Sequence, residues 1–270
     1  MPVLSLTDLI AQIPDGAKIA VPNSNSGVAM AATRALIAAG VSELHLVAYP
    51  TSGIQADMLI GAGCVRTVES AGISLDEQGQ AGRFVAAVKQ ASLTLKDSTC
   101  PAIVSGIQAA EKGVPFLPMR GLLGSDLLKY RDDYVVIDNP MADDADPIVL
   151  IPAIKPDIAL FHAPMADRFG NIWIGKMREL MTLAHAATRT LVTVEKIVDE
   201  NLMRDPLRAG ATIPEMYITS VAEVENGAWP LALEGCYEAD NDALRIYARA
   251  AKTSAGFAEY LGETVAQAAQ

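Results

Sequence analysis

Residues Phe161 to Asp199 read FHAPMADRFGNIWIGKMRELMTLAHAATRTLVTVEKIVD. The stretch begins at the end of an apolar run, Asp157-Ile-Ala-Leu-Phe161, and passes through a polar loop, Ala166-Asp-Arg-Phe-Gly-Asn171. A short second strand follows, then an amphipathic helix over Lys176 to Ala187 and another apolar strand, Thr190 to Val194. Polar and turn-forming residues crowded at the end of a buried strand are the pattern of ligand sites on α/β sheets.

Working outward, the same unit recurs. Ala17 to Val21 is a short apolar strand, and Pro22-Asn-Ser-Asn-Ser-Gly27 is a loop. Val28, Ala31, Ala32, Ala35 and Ala39 then repeat at helical spacing up to Gly40, a helix-terminating residue. Leu44 to Ala48 is the next strand, ending in Tyr49-Pro-Thr-Ser-Gly53, and a strand over Val65 to Val68 precedes Ser70-Ala-Gly72. Parallel strands share one carboxyl edge, so three polar strand ends converge where ligands bind. Helices are expected over Phe84 to Ser92, Ala102 to Lys112 and Asp240 to Ala251, the last with a polar tail. Strands are expected over Tyr134 to Ile137, Ile148 to Ile151 and Tyr217 to Val224. Pro115 to Asp126 is too rich in proline and glycine for a regular element, and Asp143-Asp-Ala-Asp146 reads as a solvated turn. The expected fold class is α/β: one domain over residues 1–270, an open, mostly parallel, doubly wound sheet with helices on both faces.

Composition narrows the function classes. Half of the 270 residues are hydrophobic and only 5% aromatic, the palette of parallel strands under helices. The net charge is −11 without a basic run, so no nucleic-acid partner is expected. Cys64, Cys100 and Cys236 lie far apart, form neither a CxxC pair nor a metal-ligand spacing, and suit a reducing cytoplasm. Pro152, Lys155, Pro156 and Asp157 break the one long apolar region, and the N-terminus carries Asp8 without a basic start. Neither a membrane span nor a signal peptide is expected, and the protein is placed in the cytoplasm.

Individual residues carry two readings each. Asn23, Ser24, Asn25, Ser26 and Gly27 lead into a helix whose N–H groups can hold phosphate or a thioester oxygen; alternatively the loop is an ordinary connection with Ser26 as N-cap. Arg120 sits among Gly121, Gly124 and Ser125, where a guanidinium can grip a carboxylate or phosphate, or merely pair with Asp126. His162 can act as a general base or be a hydrogen-bonded structural residue, whereas Asp167 and Asn171 shape the turn. His185 reads as structural or surface, His45 has no partner nearby in sequence, and Cys100 reads as a buried structural cysteine.

In wording and layout, Phe161–Asp199 and Pro115-Phe-Leu-Pro-Met-Arg-Gly-Leu-Leu-Gly-Ser-Asp126 resemble the alpha subunit of family I coenzyme A transferases of the glutaconate type. Gly227-Ala-Trp-Pro230 also fits the alpha pattern, so the preceding Glu225-Asn226-Gly227 is read as a coincidental match to the nucleophile segment of beta subunits. The resemblance implies a fold similar to that of sugar-phosphate isomerases. It also implies transfer of CoA between an acyl-CoA and a carboxylic acid through a glutamyl thioester, with coenzyme A as substrate and no resident cofactor or metal. The catalytic glutamate would then lie on a partner, the beta subunit, with none on this chain. Asn23 to Gly27, Ser70, Arg120, Gly124 and Ser125 would supply the oxyanion and substrate-binding wall. The nearest alternative is a related CoA-thioester hydrolase that opens a carbocyclic, steroid-type ring. Cys100 stands where that hydrolase is expected to carry a glutamate. A sugar-phosphate isomerase or sensor and a non-catalytic scaffold are more distant alternatives.

Overall fold

The structure, a computed structural model, describes residues 3–268. Its first half contains strands β1 (Val3–Leu4), β2 (Lys18–Val21), β3 (Leu44–Ala48), β4 (Val65–Ser70), β5 (Thr94–Asp97), β6 (Phe116–Met119) and β7 (Val135–Asp138). The second half adds β8 (Pro147–Pro152), β9 (Ile158–Ala163), β10 (Met165–Asp167), β11 (Ile172–Trp173), β12 (Arg189–Val194), β13 (Ile197–Val198), β14 (Thr212–Ile213) and β15 (Ser220–Glu223). The helices are α1 (Leu6–Ile10), α2 (Met30–Ala38), α3 (Ile54–Gly61), α4 (Gly82–Lys89), α5 (Cys100–Glu111), α6 (Glu179–Ala186), α7 (Asn241–Ala250) and α8 (Ser254–Ala268).

Eight strands form the main sheet in the order β1-β15-β12-β9-β2-β3-β4-β5. Every neighbouring pair in it is parallel. The chain runs outward from β2 through β3 and β4 to β5, then returns to place β9 on the other side of β2. That reversal makes the β2/β9 boundary the topological switch point, where open α/β sheets form a crevice.

Strand alternation explains why both faces are covered. Successive side chains point to opposite faces, and Ile19, Val21, Leu46, Leu160 and Leu191 join one core with helices α1 to α4, α7 and α8. Their neighbours Ala20, Val47, Phe161 and Val192 join a second core with α5 and α6. Fully burying a side chain such as Phe161 contributes roughly 1.5–3 kcal/mol, and its accessibility is 0%. The doubly wound α/β architecture expected from the sequence is the one observed.

Four local expectations differ. Phe116–Met119 is a strand despite Pro118, because β6 sits at the edge of an antiparallel sheet ordered β6-β8-β7, where a missing N–H is tolerated. Ser26 does not cap α2: that helix starts later, after Ala29, which makes no side-chain cap bond. Cys100 is exposed rather than buried, since Thr99 is the N-cap of α5 and puts it in the first, outward turn. The polar tail after α7 is a further helix, α8, whose Phe257 packs into the first core.

Candidate functional site

The loop after β2 crosses the end of β9 at close range. The Gly27 carbonyl accepts a hydrogen bond from the His162 N–H at 2.7 Å. Gly27 has φ +61°, and a Cβ there would stand 2.1 Å from the His162 carbonyl oxygen, so any side chain would collide with backbone. The Asn23 side chain accepts the Asn25 N–H at 2.9 Å and donates to Glu179 of α6 at 3.0 Å. Ser24 N–H donates to Thr51 O at 3.0 Å, Ser52 Oγ to Pro22 O at 3.1 Å, and Ser74 N–H to Ser52 O at 3.1 Å. The loops following β2, β3 and β4 are thus laced together on one edge. Ser70, at the end of β4, is buried with its Oγ accepting the Gly72 N–H at 3.2 Å. Among the described residues, the N–H groups of Gly27, Val28 and Ala29 find no acceptor. They lead into α2, where such donors suit a developing oxyanion or a phosphate.

A cavity of about 960 Å³ opens on this edge, with Ser24 and Asn25 on one wall, Ile54 and Tyr247 behind, and the Leu231–Ala239 loop opposite. Arg120, Gly124 and Ser125 are not brought to it. They lie on the segment that follows β6, outside a third, smaller core around Leu122, Tyr134 and Val149. The Arg120 guanidinium makes a bidentate pair with Asp146, at 3.0 and 2.5 Å, and its side chain is 63% exposed. Asp126 pairs instead with Lys129, at 2.6 Å. Asp146 therefore closes what the sequence presents as a solvated turn. Ser125 accepts the Leu127 N–H at 3.2 Å.

Beside the switch point lies a cluster that sequence reasoning did not assemble. His162 is fully buried, its Nδ1 2.8 Å from Thr193 Oγ1 and its Nε2 2.7 Å from Glu195 Oε1. An ionised carboxylate only accepts, so Nε2 carries the proton. Glu195 also accepts the Tyr237 hydroxyl at 2.8 Å, the Asn226 N–H at 2.8 Å and the Gly227 N–H at 3.0 Å. Burial works against its ionisation, but the hydrogen bonds from His162, Tyr237 and the Asn226 N–H outweigh it and lower the pKa to about 2. Burial and the hydrogen bond to Glu195 push the Tyr237 hydroxyl well up; the Ala228 N–H, which donates to it at 3.0 Å, works against them. The imidazole occupies the space beside Gly227, where a Cβ would come within 2.3 Å of the ring. Gly227 in turn accepts the Ala31 N–H at 2.9 Å, in the first turn of α2.

Glu195 is thus a fully engaged anchor for the Asn226–Gly227 turn. Glu225 itself is exposed on a second cavity, of about 640 Å³, shared with Glu195 and Cys236. The signal for Glu195 was a histidine and a Thr-Val-Glu segment at the ends of two apolar strands, and the register pairs Thr193 with His162.

The remaining polar residues are structural. Asp167 accepts the N–H groups of Phe169, Asn171 and Leu202 and the Asn171 side chain, at 2.7–3.0 Å, shaping the turn as expected. His45 finds a partner through space in buried Glu69, at 3.2 Å, which also pairs with buried Arg131 at 2.9 Å. Burial opposes ionisation of Glu69, yet His45, Lys96 and Arg131 hold its pKa below the usual carboxylate value. His185 stacks on Tyr217 with ring centroids 3.8 Å apart, and burial lowers its pKa. Among the described residues, no group of three His, Cys, Asp or Glu side chains is arranged to hold a metal ion. Likewise no helix is long and apolar enough to cross a membrane.

A doubly wound sheet with N–H donors at its switch point, beside a large cavity, is the layout of an α/β enzyme, or of part of one, that acts on an anionic ligand. Residues 3–224 match the family model for coenzyme A transferase, and the chain belongs to that family. It is 28% identical to one subunit of the 3-oxoadipate CoA-transferase of Pseudomonas knackmussii, over 97% of this chain and 93% of that one. It is 30% identical to one subunit of the glutaconate CoA-transferase of Acidaminococcus fermentans, over 97% of this chain and 87% of that one. A chain of the solved glutaconate CoA-transferase from that organism superposes with a TM-score of 0.91 at 28% identity, covering 98% of this chain and 89% of the other. One subunit of the cholesterol ring-cleaving hydrolase from Rhodococcus jostii is 27% identical, over 96% of this chain and 90% of that one.

Proposed function

We propose that this chain is the alpha subunit of a two-subunit transferase that moves CoA between an acyl-CoA and a carboxylic acid. The attacking glutamate is carried by the beta subunit. The observation behind this reading is the pairing of N–H donors without an acceptor at Gly27–Ala29 with a carboxylate, Glu195, whose hydrogen bonds are already committed. A carboxylate held by four donors is a poor nucleophile, so the chain offers stabilising groups rather than the attacking one.

In the proposed reaction the partner's carboxylate oxygen bonds to the thioester carbonyl carbon, and CoA leaves as thiolate. The thiolate then attacks the glutamyl carbonyl of the mixed anhydride, releasing the first acid and forming a glutamyl thioester. The second acid reverses both steps. Each addition builds negative charge on a carbonyl oxygen, and the N–H groups of Gly27 to Ala29, with Asn23, Ser24, Asn25 and Ser26 shaping their loop, are assigned to that oxygen. Ser70 closes the same edge. Arg120, Gly124 and Ser125 are assigned to the CoA phosphates, outside the acyl cavity. The chain is read as one domain, cytoplasmic, with no resident cofactor.

Ring-opening hydrolysis is the second reading, supported by the relative of that name. Against it, Cys100 occupies the exposed first turn of α5 where a carboxylate was expected. Co-expression with a candidate beta subunit, then mass spectrometry after adding acyl-CoA, tests the proposal. A CoA adduct on a glutamate of the partner supports it; an adduct on Glu225 or Glu195, or CoA transfer by the isolated chain, overturns it. Ring opening by the pair without CoA transfer favours the hydrolase.

A further inference from the structure

The wall that this chain gives to the large cavity is divided by polarity. Ile54, Leu75, Leu231, Leu244 and Tyr247 line its depth, whereas Asp76, Glu77, Glu234 and Glu238 stand at its mouth and are exposed. Among the described residues, no lysine, arginine or histidine lines it. Lys176, outside the lining, pairs with Glu234 at 2.6 Å. Among the described residues, Asp76, Glu77 and Glu238 make no ion pair. Neutral donors on the wall include Ser24, Asn25, Gln78 and Asn241, whereas the Tyr237 hydroxyl is already committed to Glu195.

This charge pattern selects among acyl groups. A carboxylate at the far end of an acyl chain would pass an anionic rim and come to rest on apolar side chains. Burying it there without a partner is costly, and carboxylates focused at the mouth of a cleft repel it before it arrives. An uncharged chain meets neither obstacle. At about 960 Å³ the cavity is at the upper end of the usual range for small-molecule sites, and has room for a branched or cyclic acyl group. The CoA nucleotide is itself polyanionic, so only the acyl end is expected to enter past the rim.

Resting on the transferase reading above, we propose that the acid handled in this cavity has an uncharged, predominantly apolar tail. Asp76, Glu77 and Glu238 act as specificity-determining residues that exclude dicarboxylates. Hydroxyl or keto groups on the tail are accommodated by Asn25, Gln78 and Asn241.

The test uses the purified pair of subunits with a panel of acceptor acids, each monocarboxylate matched in length to a dicarboxylate, with acetyl-CoA and longer acyl-CoAs as donors. For the monocarboxylates kcat/KM is expected to exceed that for the matched dicarboxylates at least tenfold at low salt. The gap should narrow severalfold both in molar salt and in the triple variant Asp76→Asn, Glu77→Gln, Glu238→Gln. These three side chains are exposed, so the variant is expected to fold, and an unchanged far-UV circular dichroism spectrum and thermal midpoint verify it. Equal or better use of dicarboxylates overturns the exclusion while leaving CoA transfer intact. So does a preference indifferent to both salt and the substitutions. Absence of CoA transfer to every acid overturns the transferase reading and, with it, this inference.

Discussion

The Glu195 carboxylate accepts the His162 imidazole at 2.7 Å, joining residues 33 apart in sequence that sit at the ends of neighbouring parallel strands. Through Gly27, whose carbonyl takes the His162 N–H, and Gly227, which lies against the imidazole, this pair sets the spacing between the switch-point loop and the Asn226–Gly227 turn. Both glycines are required by the same histidine, one by its backbone and one by its ring.

Replacing Glu195 with Gln removes the charge that four donors converge on and turns one acceptor oxygen into a donor, so Glu195→Gln is expected to destabilise the fold at neutral pH by on the order of 2 kcal/mol after allowing for solvent screening. The pKa falls from 4.5 to about 2 in the folded protein. The stabilisation is therefore complete above the unfolded value and is lost as pH falls through about 2. Urea unfolding of both proteins from about pH 7 down to about pH 3 should show the difference shrinking only below about pH 5. A constant difference would mean that the carboxylate charge contributes nothing.

Gly27 and Gly113 both have positive φ, +61° and +67°, but only Gly27 faces an obstruction. Gly113→Ala should cost about 1 kcal/mol, the conformational penalty alone. Gly27→Ala should cost more than about 3 kcal/mol, because the switch-point loop must also move off β9. Denaturant midpoints of the two variants decide this; equal losses would remove the steric argument.

Arg120 is exposed and its ion pair with Asp146 lies at the surface, so Arg120→Ala should change stability by less than about 1 kcal/mol. If it grips a CoA phosphate, the purified pair should show KM for acyl-CoA raised roughly tenfold with kcat nearly unchanged, the signature of lost uniform binding. An unchanged KM would return Arg120 to a purely structural role with Asp146.

The cysteines divide by accessibility. Burial pushes the Cys64 thiol up to about 11, whereas Cys100 and Cys236 are exposed. Alkylation of the native chain, read by peptide mass spectrometry, should modify Cys100 and Cys236 and spare Cys64 until unfolding. In the two-subunit enzyme, acyl-CoA should protect Cys236, which lines both cavities, and leave Cys100 reactive.

What could be read from the chain alone was local. Ala17–Val21, Leu44–Ala48, Asp157–Phe161 and Thr190–Val194 were legible as strands because each is a short apolar run bounded by turn residues, and all four belong to the main sheet. The turn role of Asp167 was equally visible, since three of its four hydrogen bonds reach no farther than Asn171. Phe116–Met119 was missed as a strand because its proline is acceptable only at a sheet edge, and edges are defined by strand order.

Strand order, and everything resting on it, belonged to the tertiary structure. Nothing in the vicinity of Glu195 announces Asn226 and Tyr237, 31 and 42 residues onward, as its donors. Nor does Arg120 indicate that Asp146 rather than Asp126 will hold it. Periodicity is imposed residue by residue by backbone geometry, so a short window suffices to detect it. The partners of a carboxylate are chosen only when β9 inserts beside β2 and brings distant loops to one edge, a choice that depends on burying both faces of the whole sheet together.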